Sequence, residues 1–166
     1  DNLSSIAGTF GEFAYEPKPN NEELNLNAIL KGIYELFEKT GNNNLRFEEH
    51  ITSEPAIVYA DKSHLIRIIN NLIKNAVQAI PNEKKGIVKV KMSKLENEVI
   101  IEISDNGQGI EDTKKDKIFM PNFTTKSGGS GLGLPICKKL IESMNGDIYF
   151  YSEINNLLVM RVDWHR

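Results

Sequence analysis

Cysteine is almost missing: Cys137 stands alone, so the chain can close no internal disulfide and has no paired thiolates for a metal. A reducing compartment fits that usage, and the thiol reads as small core filler on a helix. Long apolar runs are missing as well. No stretch approaches the roughly 20 residues needed to cross a bilayer, and the opening DNLSSIAGTFGEF has neither the basic flank nor the apolar centre of a secretion signal. It starts in mid-pattern without methionine, as expected of a segment of something longer. A strong charge imbalance is also lacking: 20 basic and 23 acidic residues give a formal net charge of −3. With no basic run interleaved with aromatics, nucleic acid is not an expected partner. There is no internal repeat and no low-complexity tract.

What is present suits one domain with a real core: 166 residues, 40% of them hydrophobic. Leu3, Ile6, Ala7, Phe10, Phe13 and Ala14 recur at helical spacing until EPKPNN interrupts them. A second amphipathic segment runs from about Leu26 to Lys39 and stops at TGNNN. LRFEEHIT and AIVYA read as short strands, and Asp61 as the N-cap of a helix that Pro81 ends after Ile80. GIVKVKMSKLENEVIIEISD reads as a hairpin. Residues 106–130 are polar and irregular apart from a short helical piece at 112–119, and a loop of that length is usually functional. A helix from about Leu132 to Met144 and two strands, GDIYFYSE and LLVMRVDW, complete the chain. The order predicts an α+β, two-layer sandwich, a mixed and mostly antiparallel sheet covered on one face by helices.

Three groups of residues carry possible chemistry. FTTKSGGSGLGLPI is neither a Walker loop, since Leu134 and Pro135 follow Gly133, nor a Rossmann turn, since no apolar strand precedes it. Gly129, Gly131 and Gly133 do open a helix, where free amides and Lys126 can receive phosphate; a flexible surface loop is the plain alternative. DNGQGI follows an apolar strand. Asp105 there can accept a hydrogen bond from an exocyclic amine such as that of adenine, and Gly107 and Gly109 let a ligand reach the main chain; an ordinary turn is the competing reading. In HLIRIINNLIKNAVQAI, Leu65, Ile69, Leu72, Ile73, Ala76, Val77 and Ile80 form the buried stripe, while Asn71 and Asn75 share another face. Two amide oxygens can help hold a hard cation completed by phosphate and water, or they are simply solvated.

Together and in this order, the groups resemble the ATP-binding catalytic domain (HATPase_c) of two-component sensor histidine kinases, in the GHKL superfamily shared with gyrase and chaperone ATPases. The likeness runs from about Leu24 to the C-terminus. NNLIKNAVQA resembles the family's N box, DNGQGI its G1 box, FMPNFTTK its F box and GSGLGL its G2 box. The resemblance implies the Bergerat fold with a mobile ATP lid at 106–130, poorly ordered without nucleotide. It implies that Asn75, helped by Asn71, holds Mg²⁺ and that Asp105 binds the adenine amine. Thr125, Lys126 and the main chain at Gly129, Gly131, Leu132 and Gly133 would hold phosphates, with Gly107, Gly109 and Ile110 around the base and Phe119 and Phe123 anchoring the lid. Ala79 departs from the pattern, since many members carry an aromatic there, and the last strand lacks the usual Gly-Thr. The N box is similar to that of nitrogen-regulation sensor kinases. Residues 1–20 would be the end of the second dimerisation helix and a hinge, and 21–166 the catalytic domain.

By the same resemblance the reaction moves the γ-phosphoryl of ATP to a histidine on an upstream dimerisation domain, and a response regulator receives it. His50, His64 and His165 are surface or packing residues rather than acceptors. Relatives that hydrolyse ATP place a glutamate where Asn71 stands, so hydrolysis is expected to be very slow. A chaperone-like or gyrase-like ATPase, or a nucleotide-binding interaction module, is the alternative. The domain is expected to be cytoplasmic and monomeric by itself, within a homodimeric parent whose inner-membrane anchorage stays open.

Overall fold

The computed structural model describes residues 11, 18–40, 44–126, 129–153 and 157–165. The helix expected around Leu3 to Ala14 therefore lies almost wholly outside the described residues. Strand β1 (Asn21–Asn25) leads into helix α1 (Leu26–Thr40), followed by β2 (Leu45–Ile51), β3 (Ile57–Asp61), α2 (Lys62–Ala79), β4 (Gly86–Lys94) and β5 (Glu98–Asp105). A 3₁₀ turn (Asp112–Lys117), α3 (Gly133–Ser143), β6 (Gly146–Glu153) and β7 (Leu157–His165) complete it.

The main sheet has the order β2-β4-β5-β7-β6. Only β2 and β4 run parallel; the other three ladders are antiparallel, as the mixed, mostly antiparallel expectation required. In β4 and β5 the pleat sends Val88, Val90 and Met92, and Val99, Ile101 and Ile103, into the core. Against that sheet lie Leu26, Leu30 and Ile33 of α1, the apolar stripe of α2, and Ile136, Leu140 and Ile141 of α3. Ile68 joins the expected α2 stripe, whereas Val77 and Ile80 at the far end of the helix are only half-buried.

Strand β1 was not legible. NEELN carries one apolar residue, Leu24, and becomes a strand by pairing antiparallel with β3 in a separate two-stranded sheet. That pairing also separates β2 from β3, which the sequence suggests as consecutive strands. Asn27 ties the loop between them: its Nδ2 donates to the carbonyls of Thr52 and Glu54, and its Oδ1 accepts from the Ala56 amide.

The ends of α2 matter most, because α2 carries the candidate site. Asp61 caps it, accepting from the amides of Ser63 and His64 at 2.9 and 3.1 Å. At the other end Ile80 has extended geometry (φ −92°, ψ 120°), the conformation the following Pro81 imposes. The helix thus stops about one turn after Asn75.

Candidate functional site

Asp105 is the last residue of β5, and only 3% of it is exposed. Its Oδ1 accepts from the Gly107 amide at 2.8 Å. Burial pushes its carboxyl up to about 6, against the opposing pull of that amide and of the Lys126 and Lys84 charges. Next to it, the Asn106 side chain closes the turn, accepting from the Ile87 amide and donating to the Lys85 carbonyl. Lys84 Nζ donates to the Asn106 carbonyl. The G1-like turn is also locked onto the end of α2, since the Gln108 amide donates to the Ala79 carbonyl at 3.1 Å. Ala79 therefore serves as a backbone acceptor in this protein, and its methyl side chain offers no ring to stack on a base.

Asn75 and Lys126, 51 residues apart, meet directly: Lys126 Nζ donates to Asn75 Oδ1 at 2.8 Å and to Gln78 Oε1 at 2.7 Å. The ammonium is partly desolvated, which pulls its pKa down while the Asp105 charge pulls it up. An ammonium seated on Asn75 Oδ1 marks that oxygen as a point where positive charge is favoured. Asn71, one turn back, lies beside the start of α3: a Cβ at Gly133 would come within 3.9 Å of Asn71 Oδ1.

The described residues hold no cluster of His, Cys, Asp or Glu that could bind a metal by itself. Neutral oxygens from Asn71 and Asn75 fit Mg²⁺ only if an oxyanion ligand completes its shell, the arrangement usual for a metal that arrives with phosphates.

Helix α3 begins at Gly133 with no side-chain cap, so the amides of its first turn before Pro135, those of Gly133 and Leu134, are left without a capping side chain. Gly131, at φ 66°, lies against the main chain of Asn122 and Phe123, and its carbonyl accepts from the Asn122 amide. Gly129 donates its amide to the Lys126 carbonyl. Leu132 is 1% exposed, so its side chain belongs to the core and only its main chain can face a ligand. Thr125 is exposed and makes no hydrogen bond with the described residues. Ile110 and Phe123 pack half-buried on the core. Phe119 turns the other way, onto Phe150 (centroids 6.4 Å apart) and under Lys138 Nζ. Gln78, Lys84 and Asn106 were missed by sequence reading. Gln78 was findable, since it shares the helical face of Asn71 and Asn75.

A cavity of about 500 Å³ extends from Asn71 and Gly133 along α2 away from Asp105. Among the described residues its walls include Arg67 and Lys74 but no carboxylate and no imidazole. His64 is buried in the first turn of α2, and His50 is exposed on β2.

The family described as histidine kinase-, DNA gyrase B- and HSP90-like ATPase matches residues 60–163. Sporulation kinase D of Bacillus subtilis (strain 168) is 33% identical over 157 residues, covering 92% of this chain and 31% of the relative. The sensory histidine kinase/phosphatase NtrB of Azospirillum brasilense is 27% identical over 166 residues, covering 92% and 42%. The nucleotide-free catalytic domain of histidine kinase ThkA superposes with a TM-score of 0.79 at 32% identity, over 88% of this chain and 95% of that one. The same kinase in complex with the response regulator protein TrrA gives 0.82 at 29%, over 98% and 47%. The chain spans about a third of the length of the first curated relatives it matches.

Proposed function

The chain belongs to the histidine kinase-, DNA gyrase B- and HSP90-like ATPase family, as the catalytic domain of a histidine kinase, and from that premise we propose that it binds ATP with Mg²⁺ and passes the γ-phosphoryl to a histidine of the parent kinase. The observation that supports this most is the Lys126–Asn75 contact, which brings a cation of the β5–α3 loop onto the helix oxygen best placed to take a metal, beside the buried carboxylate of Asp105. In this reading Asp105, held by the Gly107 amide, accepts from the adenine amine. Asn75 and Asn71 supply the protein ligands of Mg²⁺, which neutralises phosphate charge when bound. Lys126 leaves Asn75 Oδ1 and turns to the phosphates, with the amides at the start of α3 taking the remaining oxygens.

Residues 1–20 are read as the end of a dimerisation helix and hinge, and 21–166 as the catalytic domain. The acceptor lies on the dimerisation domain upstream, in a homodimeric parent, while this chain by itself is monomeric. A response regulator takes the phosphoryl onward, as the complex of ThkA with TrrA suggests. No helix among the described residues is long and apolar enough to cross a membrane, and use of ATP argues for a cytoplasmic position. Asn71 is an amide without the basicity of a glutamate, and among the described residues the walls of the cavity beside it hold no base to activate water, so hydrolysis is slow.

Mixing the chain with an acceptor-helix fragment and γ-labelled ATP tests the reading. Label moves to the acceptor histidine, and Asn75→Ala lowers the rate by about a hundred-fold, the scale of one lost transition-state contact. Brisk steady release of phosphate without transfer would instead make the protein a hydrolysing ATPase.

A further inference from the structure

Ser63, Arg67, Asn70 and Lys74 follow one another on α2 at spacings of four, three and four, so they form one stripe along the helix. It lies beside the Asn71–Asn75–Gln78 stripe. With Ser130 and Gly133 before and at the start of α3, it walls the cavity of about 500 Å³, a size that suits part of a small-molecule ligand. Asn71 belongs to both: it lines the cavity and it lies beside Gly133 in the nucleotide site proposed above.

The charges on the two sides differ in how they are committed. Lys126 is already held by two amide oxygens, and the nearby Asp105 carboxylate offsets its charge. Arg67 acts partly on the Cys137 thiol behind it. The Lys74 side chain makes no ion pair and no hydrogen bond with the described residues, yet it lines the cavity next to Asn71. A nucleoside triphosphate reaches one phosphate further than a diphosphate and carries more negative charge. The cavity wall beyond Asn71 offers that phosphate cations and no opposing carboxylate.

We propose that Lys74, supported by Arg67, forms a terminal-phosphate subsite at the α2–α3 cavity and sets the preference of this protein for nucleoside triphosphate over diphosphate. The proposal rests on the reading that ATP occupies the Asp105–Asn75 groove. Lys74 is a specificity-determining residue in it, and its ammonium contacts only the last phosphate. Because Lys74 is exposed on a capped helix, its replacement leaves the fold intact.

Calorimetric titration of the chain with a non-hydrolysable ATP analogue and with ADP, each with Mg²⁺, tests this on wild type, Lys74→Met and Lys74→Arg. Lys74→Met weakens the triphosphate by about ten-fold, and ADP changes less than about two-fold; Lys74→Arg restores most of the difference. Equal weakening of both nucleotides, or of neither, overturns the subsite and leaves the nucleotide site standing. If wild type binds neither nucleotide, the ATP reading itself falls, and the subsite with it.

Discussion

Gly107 has no room for a side chain. A Cβ there would lie 2.4 Å from the Ala79 carbonyl oxygen and 2.6 Å from Asp105 Oδ1. The first is main chain at the end of a helix and the second is the buried carboxylate, so neither can yield without moving the site. Gly109 offers the opposite case: its φ of 71° favours glycine, but nothing lies near a Cβ. The two glycines of DNGQGI thus have different reasons, and the sequence pattern alone could not separate them. Gly107→Ala is expected to destabilise the protein by about 2 kcal/mol or more, through overpacking, and to abolish measurable nucleotide binding. Gly109→Ala costs about 1 kcal/mol from backbone strain and keeps binding. Urea unfolding and nucleotide titration of both variants check the contrast; equal losses would refute it.

The loop between β5 and α3 is held unevenly. Its base is fixed by Phe119 on Phe150 and by the Gly131 carbonyl on the Asn122 amide. Its outer part is held at Lys126, through the two hydrogen bonds to Asn75 and Gln78. Sequence periodicity could mark where this loop begins and ends, and the helical spacing of Asn71 and Asn75 could place them together. It could not show that Lys126 bridges back to α2, because that contact spans 51 residues and depends on how α2 and the loop pack. Gln78 therefore contributes to the nucleotide-free loop without any proposed nucleotide contact. Removing its amide with Gln78→Leu frees Lys126 from one partner. Amide exchange at 124–126 is expected to speed up without nucleotide, and ATP affinity to rise about three-fold, since one solvent-exposed ammonium–amide hydrogen bond fewer must be broken on binding. Unchanged exchange, or a fall in affinity, would show that Gln78 does not hold the loop.

Across the whole molecule, the elements with strong periodicity were legible: α1, α2, the β4–β5 hairpin and the α+β arrangement all follow from apolar spacing and from stops such as Pro81. Strand β1 was not, because its strand character comes from β3 rather than from its own residues. Nor was the opposition between two buried carboxylates that shape stability against pH. Burial alone would push Asp61 up, but hydrogen bonds from Ser63, His64 and Asn20 outweigh it and hold its carboxyl down at about 2. Its stabilisation is complete above the unfolded value near 4 and is lost as pH falls through about 2. Asp105 acts in reverse. Burial holds its carboxyl at about 6, so between roughly pH 4 and 6 the folded chain keeps a proton that the unfolded chain has released. Stability falls across that window by about 3 kcal/mol and is flat above it. The carboxylate that recognises the base in the proposed site is thus a cost to the fold at neutral pH. Asp105→Asn keeps an oxygen for the Gly107 amide and removes the charge. It is expected to leave stability unchanged near pH 4 and raise it at pH 7 by much of that amount, while weakening nucleotide binding. Denaturant unfolding of both proteins from pH 4 to 7 measures the gap; parallel curves would mean that Asp105 is not held in the neutral form by burial.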